Sequence, residues 1–201
     1  MRNGRHRHLA IGILAAFLSL LPLTVSPVQA VDVQLAWDPS PDPQVTGYML
    51  YYGMASGQYS VSVDTGPATG AALSGLEAAQ TYYFAALAYD AAGEHSPFSN
   101  EVNYTVPDTT PPSVAITAPV TGTMVQRGAL VTISATAADD VGVTQVAFSV
   151  NGNLKCTDAT SPYTCAWRVP WRTGRTYRLQ AKAYDAGGNV GLSGLIMVTS
   201  Q

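Results

Sequence analysis

An all-β chain of two tandem β-sandwiches, carried behind a cleaved export leader, is the fold class the sequence predicts. Three observations carry that expectation. One stretch occurs twice, at an offset of 95 residues: Thr81 to Glu94 reads TYYFAALAYDAAGE and Thr176 to Asn189 reads TYRLQAKAYDAGGN, identical at eight of fourteen positions. In both copies alternate residues are apolar or small, Tyr82, Phe84, Ala86 and Ala88 in one and Tyr177, Leu179, Ala181 and Ala183 in the other, which is the period of a strand with one buried face. Each copy opens on Thr-Tyr and leaves into an Asp-Ala turn containing Gly; a Tyr that opens the sixth strand of a sandwich and returns its hydroxyl to the preceding turn is the tyrosine corner.

The leader comes first in the chain. Arg2, Arg5 and Arg7 make a basic n-region, and Leu9 to Val25 is apolar apart from Ser19 and Thr24, with a break at Pro22. Val28-Gln29-Ala30 sets small residues where a signal peptidase cuts. A transmembrane anchor is the alternative; the basic flank and the small-residue site favour a signal peptide over residues 1–30. No later apolar run is long enough to span a bilayer, so the expected location is secreted, periplasmic or at the cell surface. The remaining length of about 170 residues suits two small domains.

Residues 31–106 form the first. Val33, Leu35 and Trp37 share one face of a strand that Asp38-Pro39-Ser40-Pro41-Asp42-Pro43 ends, because Pro cannot donate to a ladder. Tyr48, Leu50 and Tyr52 point inward from the next strand, which stops at Gly53. A weaker strand is expected near Tyr59 to Val63, Leu76 to Tyr82 is the turn into the repeated strand, and Ser99 to Val106 closes the domain. Four features then identify a family: the Trp37 strand, Gly47-Tyr48-x-Leu50-x-Tyr52-Gly53, Leu76-x-Ala78-x-x-Thr81-Tyr82-x-Phe84, and Ser96 to Val102. Together they resemble a fibronectin type III domain over residues 31–106, departing at Ala78, where the family usually has Pro. No Arg-Gly-Asp occurs, so the family's integrin-binding loop does not carry over.

Pro107-Asp108-Thr109-Thr110-Pro111-Pro112 is a short, stiff linker over residues 107–112, since each Pro holds φ near −65° and favours an extended path. Residues 113–201 form the second sandwich. Val114 to Thr117 opens it; Val131, Ile133 and Ala135 line the next strand; Val146, Phe148 and Val150 line a third, followed by Asn151-Gly152, a strong hairpin signal. Tyr163, Cys165 and Trp167 share a face, Tyr177 begins the corner strand, and Leu195 to Thr199 closes the sheet. Pro112 to Pro119, Ala138 to Val143, Val146-x-Phe148-x-Val150-Asn151-Gly152, Ser161-Pro162-Tyr163 and Ala183 to Gly191 make residues 112–200 similar to a bacterial Ig-like domain. That resemblance implies a spacer or binding accessory of the kind appended to secreted hydrolases.

Charge is divided between the halves. Residues 31–106 hold eight acidic side chains and no Lys or Arg, whereas residues 107–201 hold seven basic and five acidic ones. The first half repels nucleic acid and the second is too weakly basic to imply it. The two cysteines, Cys156 and Cys165, read as a disulfide in an exported chain, closing a loop worth ~2–3 kcal/mol in the chain-entropy model. A metal-binding pair is the rival, without CxxC spacing and with His95 as the one histidine past the leader.

Three candidate chemistries follow. For catalysis, His95 is the single base available to a Ser-His-Asp triad, and two small domains filled by their own cores leave little room for a cleft; no catalytic residue is assigned. For a metal, the loops after the second and sixth strands lie at one end of a sandwich. Here they bring Asp139, Asp140, Asp185 and Asn189 toward the end entered through Asp108, an oxygen-rich set suited to calcium at the domain junction; the alternative is that these residues cap turns. For a ligand surface, Ala166 to Arg178 carries two Trp and four Arg. Trp167 is core by period, which leaves Trp171 past Pro170, with Arg172 and Arg175, to stack a sugar ring or meet an acidic partner, or to form a solvated edge. Trp37, Tyr48, Tyr52 and Tyr82 fall on the buried period, and Tyr51, Tyr59, Tyr83 and Tyr89 do not. The expected function is a non-catalytic binding or scaffold module recognising protein or polysaccharide. A structural spacer accessory to a secreted hydrolase or surface complex is the alternative, and a small hydrolase the third reading.

Overall fold

The computed structural model describes residues 11–13 and 31–201. The proposed leader's basic region, its Pro22 break and its cleavage site lie outside the described residues. The chain divides into two compact units that meet between Pro107 and Asp108.

The first unit contains β1 (Ile11–Ile13), β2 (Val31–Trp37), β3 (Val45–Gly53), β4 (Val61–Gly66), β5 (Gly70–Leu76), β6 (Thr81–Asp90) and β7 (Val102–Thr105). They form a three-stranded sheet, β1-β2-β5, and a four-stranded one, β4-β3-β6-β7. β1 lies within the segment read as leader and pairs antiparallel with β2, Ile11 opposite Trp37. Val33, Leu35 and Trp37 of β2 meet Leu50 of β3 and Tyr82, Phe84, Ala86 and Ala88 of β6 in one core. Phe84 and Leu50 are fully buried, each worth ~1.5–3 kcal/mol of hydrophobic stabilisation. Trp37 packs edge-on to Tyr48 at 6.0 Å. The tyrosine corner is present: the Glu77 N–H donates to the Tyr82 hydroxyl at 3.1 Å. The turn before it places Ala79 in the left-handed region, φ 59°, and the Ala79 N–H donates to the Val106 carbonyl at 2.8 Å. That bond holds a turn that has Ala78 in place of the family's Pro.

Three local expectations need correction. The strand expected near Tyr59 begins at Val61. Gly70–Leu76 is a full strand, although its Gly, Ala and Ser residues have low β propensity and signal none; the turn into β6 therefore starts after Leu76. Tyr52, assigned to the core, is half-buried and leans on Tyr82 and Phe84 at 6.3 and 6.0 Å.

The second unit contains β8 (Ser113–Ala118), β9 (Met124–Val125), β10 (Leu130–Ala138), β11 (Val143–Val150), β12 (Asn153–Asp158), β13 (Tyr163–Arg168), β14 (Thr176–Asp185), β15 (Val190–Leu192) and β16 (Ile196–Ser200). One sheet runs β13-β10-β8; the other runs β12-β11-β14-β16-β9, with β15 also on β14 and the short β9 parallel to β16. Asn151 and Gly152 have φ of 50° and 79°, the two positive values a type I′ hairpin requires, and Val150 pairs with Asn153 across it. β13 alternates strictly, with Tyr163, Cys165 and Trp167 buried and the intervening residues exposed. Cys156 and Cys165 form a disulfide with Cα atoms 6.0 Å apart, tying β12 of one sheet to β13 of the other. Half of the segment between them, expected as a loop, is strand: Thr157 and Asp158 end β12, Tyr163 and Thr164 begin β13, and only residues 159–162 form the turn. Tyr177 is buried and packs edge-on to Trp167 at 5.1 Å. Among the described residues its hydroxyl has no hydrogen-bond partner, so this copy of the repeat keeps the corner's ring without its bond.

Candidate functional site

Two copies of one strand end in the same Asp, and the comparison isolates what is unusual about the second unit. In the first, Asp90 ends β6 and its Oδ1 accepts the N–H groups of Ala92 and Glu94, both at 2.9 Å. This is an ordinary turn cap. In the second, Asp185 ends β14 and is buried; its Oδ1 accepts the Asn189 N–H at 2.8 Å and its Oδ2 the Asn189 Nδ2 at 2.9 Å. Burial pushes its carboxyl up, but the Asn189 bonds and the N–H groups of Gly188 and Gly187 outweigh this and hold it below the usual carboxylate range.

Asp108 and Asp139 come in beside it, and a carboxylate oxygen of each of the three lies within 4.8 Å of the other two. Asp139 follows β10, and its Oδ2 accepts the N–H groups of Val141 and Gly142 at 3.1 and 2.9 Å. Asp108 is only 9% exposed, and its Oδ1 accepts the Thr110 N–H at 3.0 Å. Asn189 Nδ2 also donates to the Asp108 carbonyl at 3.1 Å. Close approach holds this segment in place: a Cβ on Gly187 would stand 2.8 Å from the Asp108 carbonyl oxygen, and one on Gly191 would stand 1.7 Å from that of Pro112. The remaining oxygens, Asp108 Oδ2 and Asp139 Oδ1, are buried without a partner. Of the five residues expected to gather, four do: the carboxylates of Asp108, Asp139 and Asp185, and the side-chain amide of Asn189. Asp140 is exposed and outside the group. Asn189 contributes as a donor that fixes Asp185 and Asp108.

The Trp171 region sits at another place on the second unit. Trp171 is 76% exposed. It lies against the Gly128 Cα, where a Cβ would come within 2.5 Å of its Cζ2. The Gly128 N–H donates to the Val169 carbonyl at 2.9 Å, and Arg168 Nη1 donates to the Gly128 carbonyl at 2.8 Å. The buried Ser200 hydroxyl donates to the Arg172 carbonyl, and the Ser200 N–H to that of Arg175. A hydrogen-bonded backbone therefore presents an open indole face, with the exposed Arg172 and Arg175 following it in the chain.

On the first unit a second aromatic group forms. Phe98, 43% exposed, lies 5.1 Å from Tyr51 and 5.3 Å from Tyr59 in edge-on geometry. Tyr59 donates its hydroxyl to Glu101 at 2.7 Å, and Glu101 also accepts from Ser56 Oγ at 2.6 Å and the Gly57 N–H at 2.7 Å. Those three donors, Ser56 foremost, hold Glu101 below the usual carboxylate range. Burial first, then the Glu101 bond and charge, push Tyr59 up to about 12. Sequence reasoning separated Tyr51 and Tyr59 from the core but did not see Phe98 join them, because it comes from a loop with no period. His95 is exposed, with its ring 6.5 Å from that of Tyr89. Among the described residues no serine hydroxyl or carboxylate bonds to it. Among those residues, no helix is long and apolar enough to cross a membrane.

The chain is 39% identical over 170 residues to Chitinase A1 of Niallia circulans, a match that covers 81% of this chain and 23% of the relative; the chain thus spans about a quarter of that protein. Among solved structures, the fibronectin(III)-like modules of Clostridium thermocellum CbhA match at 22% identity and a TM-score of 0.42, covering 86% of this chain and 85% of theirs. A two-domain fibronectin type III segment of chicken tenascin matches at 18% identity and a TM-score of 0.49, covering 88% and 95%. Family models match residues 20–105 as a fibronectin type III domain and residues 112–187 as a bacterial Ig domain. The chain carries a fibronectin type III domain followed by a bacterial Ig domain.

Proposed function

We propose that this chain is an exported, non-catalytic accessory module that holds polysaccharide through an exposed aromatic platform centred on Trp171. The observation that carries the reading is the indole itself, three-quarters exposed while seated on Gly128. Exposing a large aromatic to water is unfavourable, and a fixed, unpartnered ring face suits the apolar face of a pyranose. The match to a segment of a chitinase points to β-linked N-acetylglucosamine polymers as the first ligand to try. Domains of these two families mostly serve as non-catalytic modules, and the lone His95 supports no triad.

The test is depletion of the exported chain from solution by insoluble chitin, with cellulose and xylan alongside. Binding to at least one polymer, weakened about tenfold or more by Trp171→Ala, supports the proposal; tenfold corresponds to ~1.4 kcal/mol. No depletion by any of the three leaves the spacer reading in its place. Depletion that Trp171→Ala does not change moves the contact elsewhere, with the Phe98 group the next surface to vary.

A further inference from the structure

We propose that Asp108, Asp139 and Asp185 bind a calcium ion within the second unit. The inference stands apart from the polysaccharide reading and rests on a different part of the molecule. Acidic residues in turns are common, and one carboxylate suffices to cap a turn, as Asp90 does in the first unit. The second unit brings two further carboxylates to the equivalent position. Each is held through one oxygen by backbone N–H groups, and its other oxygen is buried with no donor: Asp108 Oδ2 and Asp139 Oδ1. Asp108 is itself nine-tenths buried. An unpaired buried carboxylate oxygen is costly, and three carboxylates in contact repel one another. A cation between them offsets both costs.

The donor set selects the ion. All three side chains offer hard oxygen, and no His or Cys belongs to the group, which disfavours zinc and the softer transition metals. Calcium binds oxygens at ~2.3–2.6 Å, so two ligands of one ion stand at most ~4.6–5.2 Å apart; magnesium binds at ~2.0–2.1 Å and requires ~4.2 Å or less. All three oxygens lie within 4.8 Å of one another, inside the calcium range, and calcium's flexible shell suits carboxylates gathered from separate loops better than magnesium's strict octahedron. Asn189 completes the arrangement as a positioning residue, since its Nδ2 bridges the Asp185 carboxylate and the Asp108 carbonyl. Water supplies the remaining positions of a calcium shell.

The experiment uses the exported chain after dialysis against EDTA, titrated with calcium chloride by calorimetry and melted with and without it; Asp139→Asn and Asp108→Asn are run in parallel. Calcium should bind one-to-one and raise the second unit's melting temperature by ~5 °C or more at saturation, with magnesium producing a smaller shift. Each Asn variant should lower calcium affinity about tenfold or more. The order of stabilities separates an ion site from a turn. In EDTA, Asp139→Asn should melt no lower than the wild type, because it removes a repelling charge; in calcium it should melt lower. A calorimetric trace with no calcium heat and no shift in melting overturns the proposal, as does an Asn variant whose calcium response equals that of the wild type. If either variant fails to fold, the wild-type titration alone decides.

Discussion

Replacing Tyr82 with Phe removes one oxygen atom and leaves the buried ring in place, and the repeated strand supplies its own control in Tyr177. The Tyr82 hydroxyl accepts the Glu77 N–H at 3.1 Å at a residue only 6% exposed. Deleting that acceptor forfeits a hydrogen bond of ~0.5–1.5 kcal/mol and leaves a half-buried N–H unpaired, for a total of ~1–3 kcal/mol. For a unit of this size each kcal/mol lowers the melting temperature by ~4–8 °C. Tyr177→Phe, whose hydroxyl has no partner among the described residues, should cost under ~0.5 kcal/mol. Differential scanning calorimetry of the two variants reads both changes, and hydrogen exchange assigns each transition to its unit. Equal losses from the two substitutions would refute the reasoning, because the rings are similarly buried and only the bond differs.

Three further outcomes follow from the same geometry. Glu101 has a depressed folded pKa, so the stability it lends is present above its unfolded value and is lost as pH falls through the folded one; Glu101→Gln should destabilise the first unit at neutral pH, with the gap to wild type closing under acid in melts at stepped pH. Tyr59, raised to about 12, should ionise only near that pH in an ultraviolet tyrosinate titration that Tyr59→Phe assigns, and the stability its protonated form lends should persist below the unfolded value near 10 and disappear as pH rises through 12. Replacing both Cys156 and Cys165 by Ser reopens a loop of sequence separation 9, a loss of ~2–3 kcal/mol in the chain-entropy model that should lower the second unit's melting temperature by ~10 °C or more and leave the first unit's unchanged.

What the sequence made legible was whatever repeats or alternates. The strand pair at Thr81–Asp90 and Thr176–Asp185 was visible because period two and the Asp-Ala turn recur together. Asn151-Gly152 was visible because few residues tolerate two positive φ values in succession. Gly70–Leu76 was hidden because small residues pair through backbone bonds that composition does not advertise. The two-residue β9 was hidden because its parallel partner lies at the far end of the domain. At the acidic site, residue types were readable but orientation was not. Asp139 and Asp140 look equivalent in sequence, and only the fold shows that the first turns inward while the second faces water. Asn189 was grouped as an oxygen ligand because its type permits that role; its bonds show the amide nitrogen directed at Asp185 and Asp108.

Backbone and indole resonances of the chain, followed by nuclear magnetic resonance during titration with a soluble chitin oligosaccharide, address the proposed function at the level of single residues. The account predicts shifts concentrated on the Trp171 indole N–H, Gly128 and Arg172, where the ring is seated and exposed. A spectrum unchanged at saturating sugar, or one whose shifts fall wholly outside that platform, would contradict it.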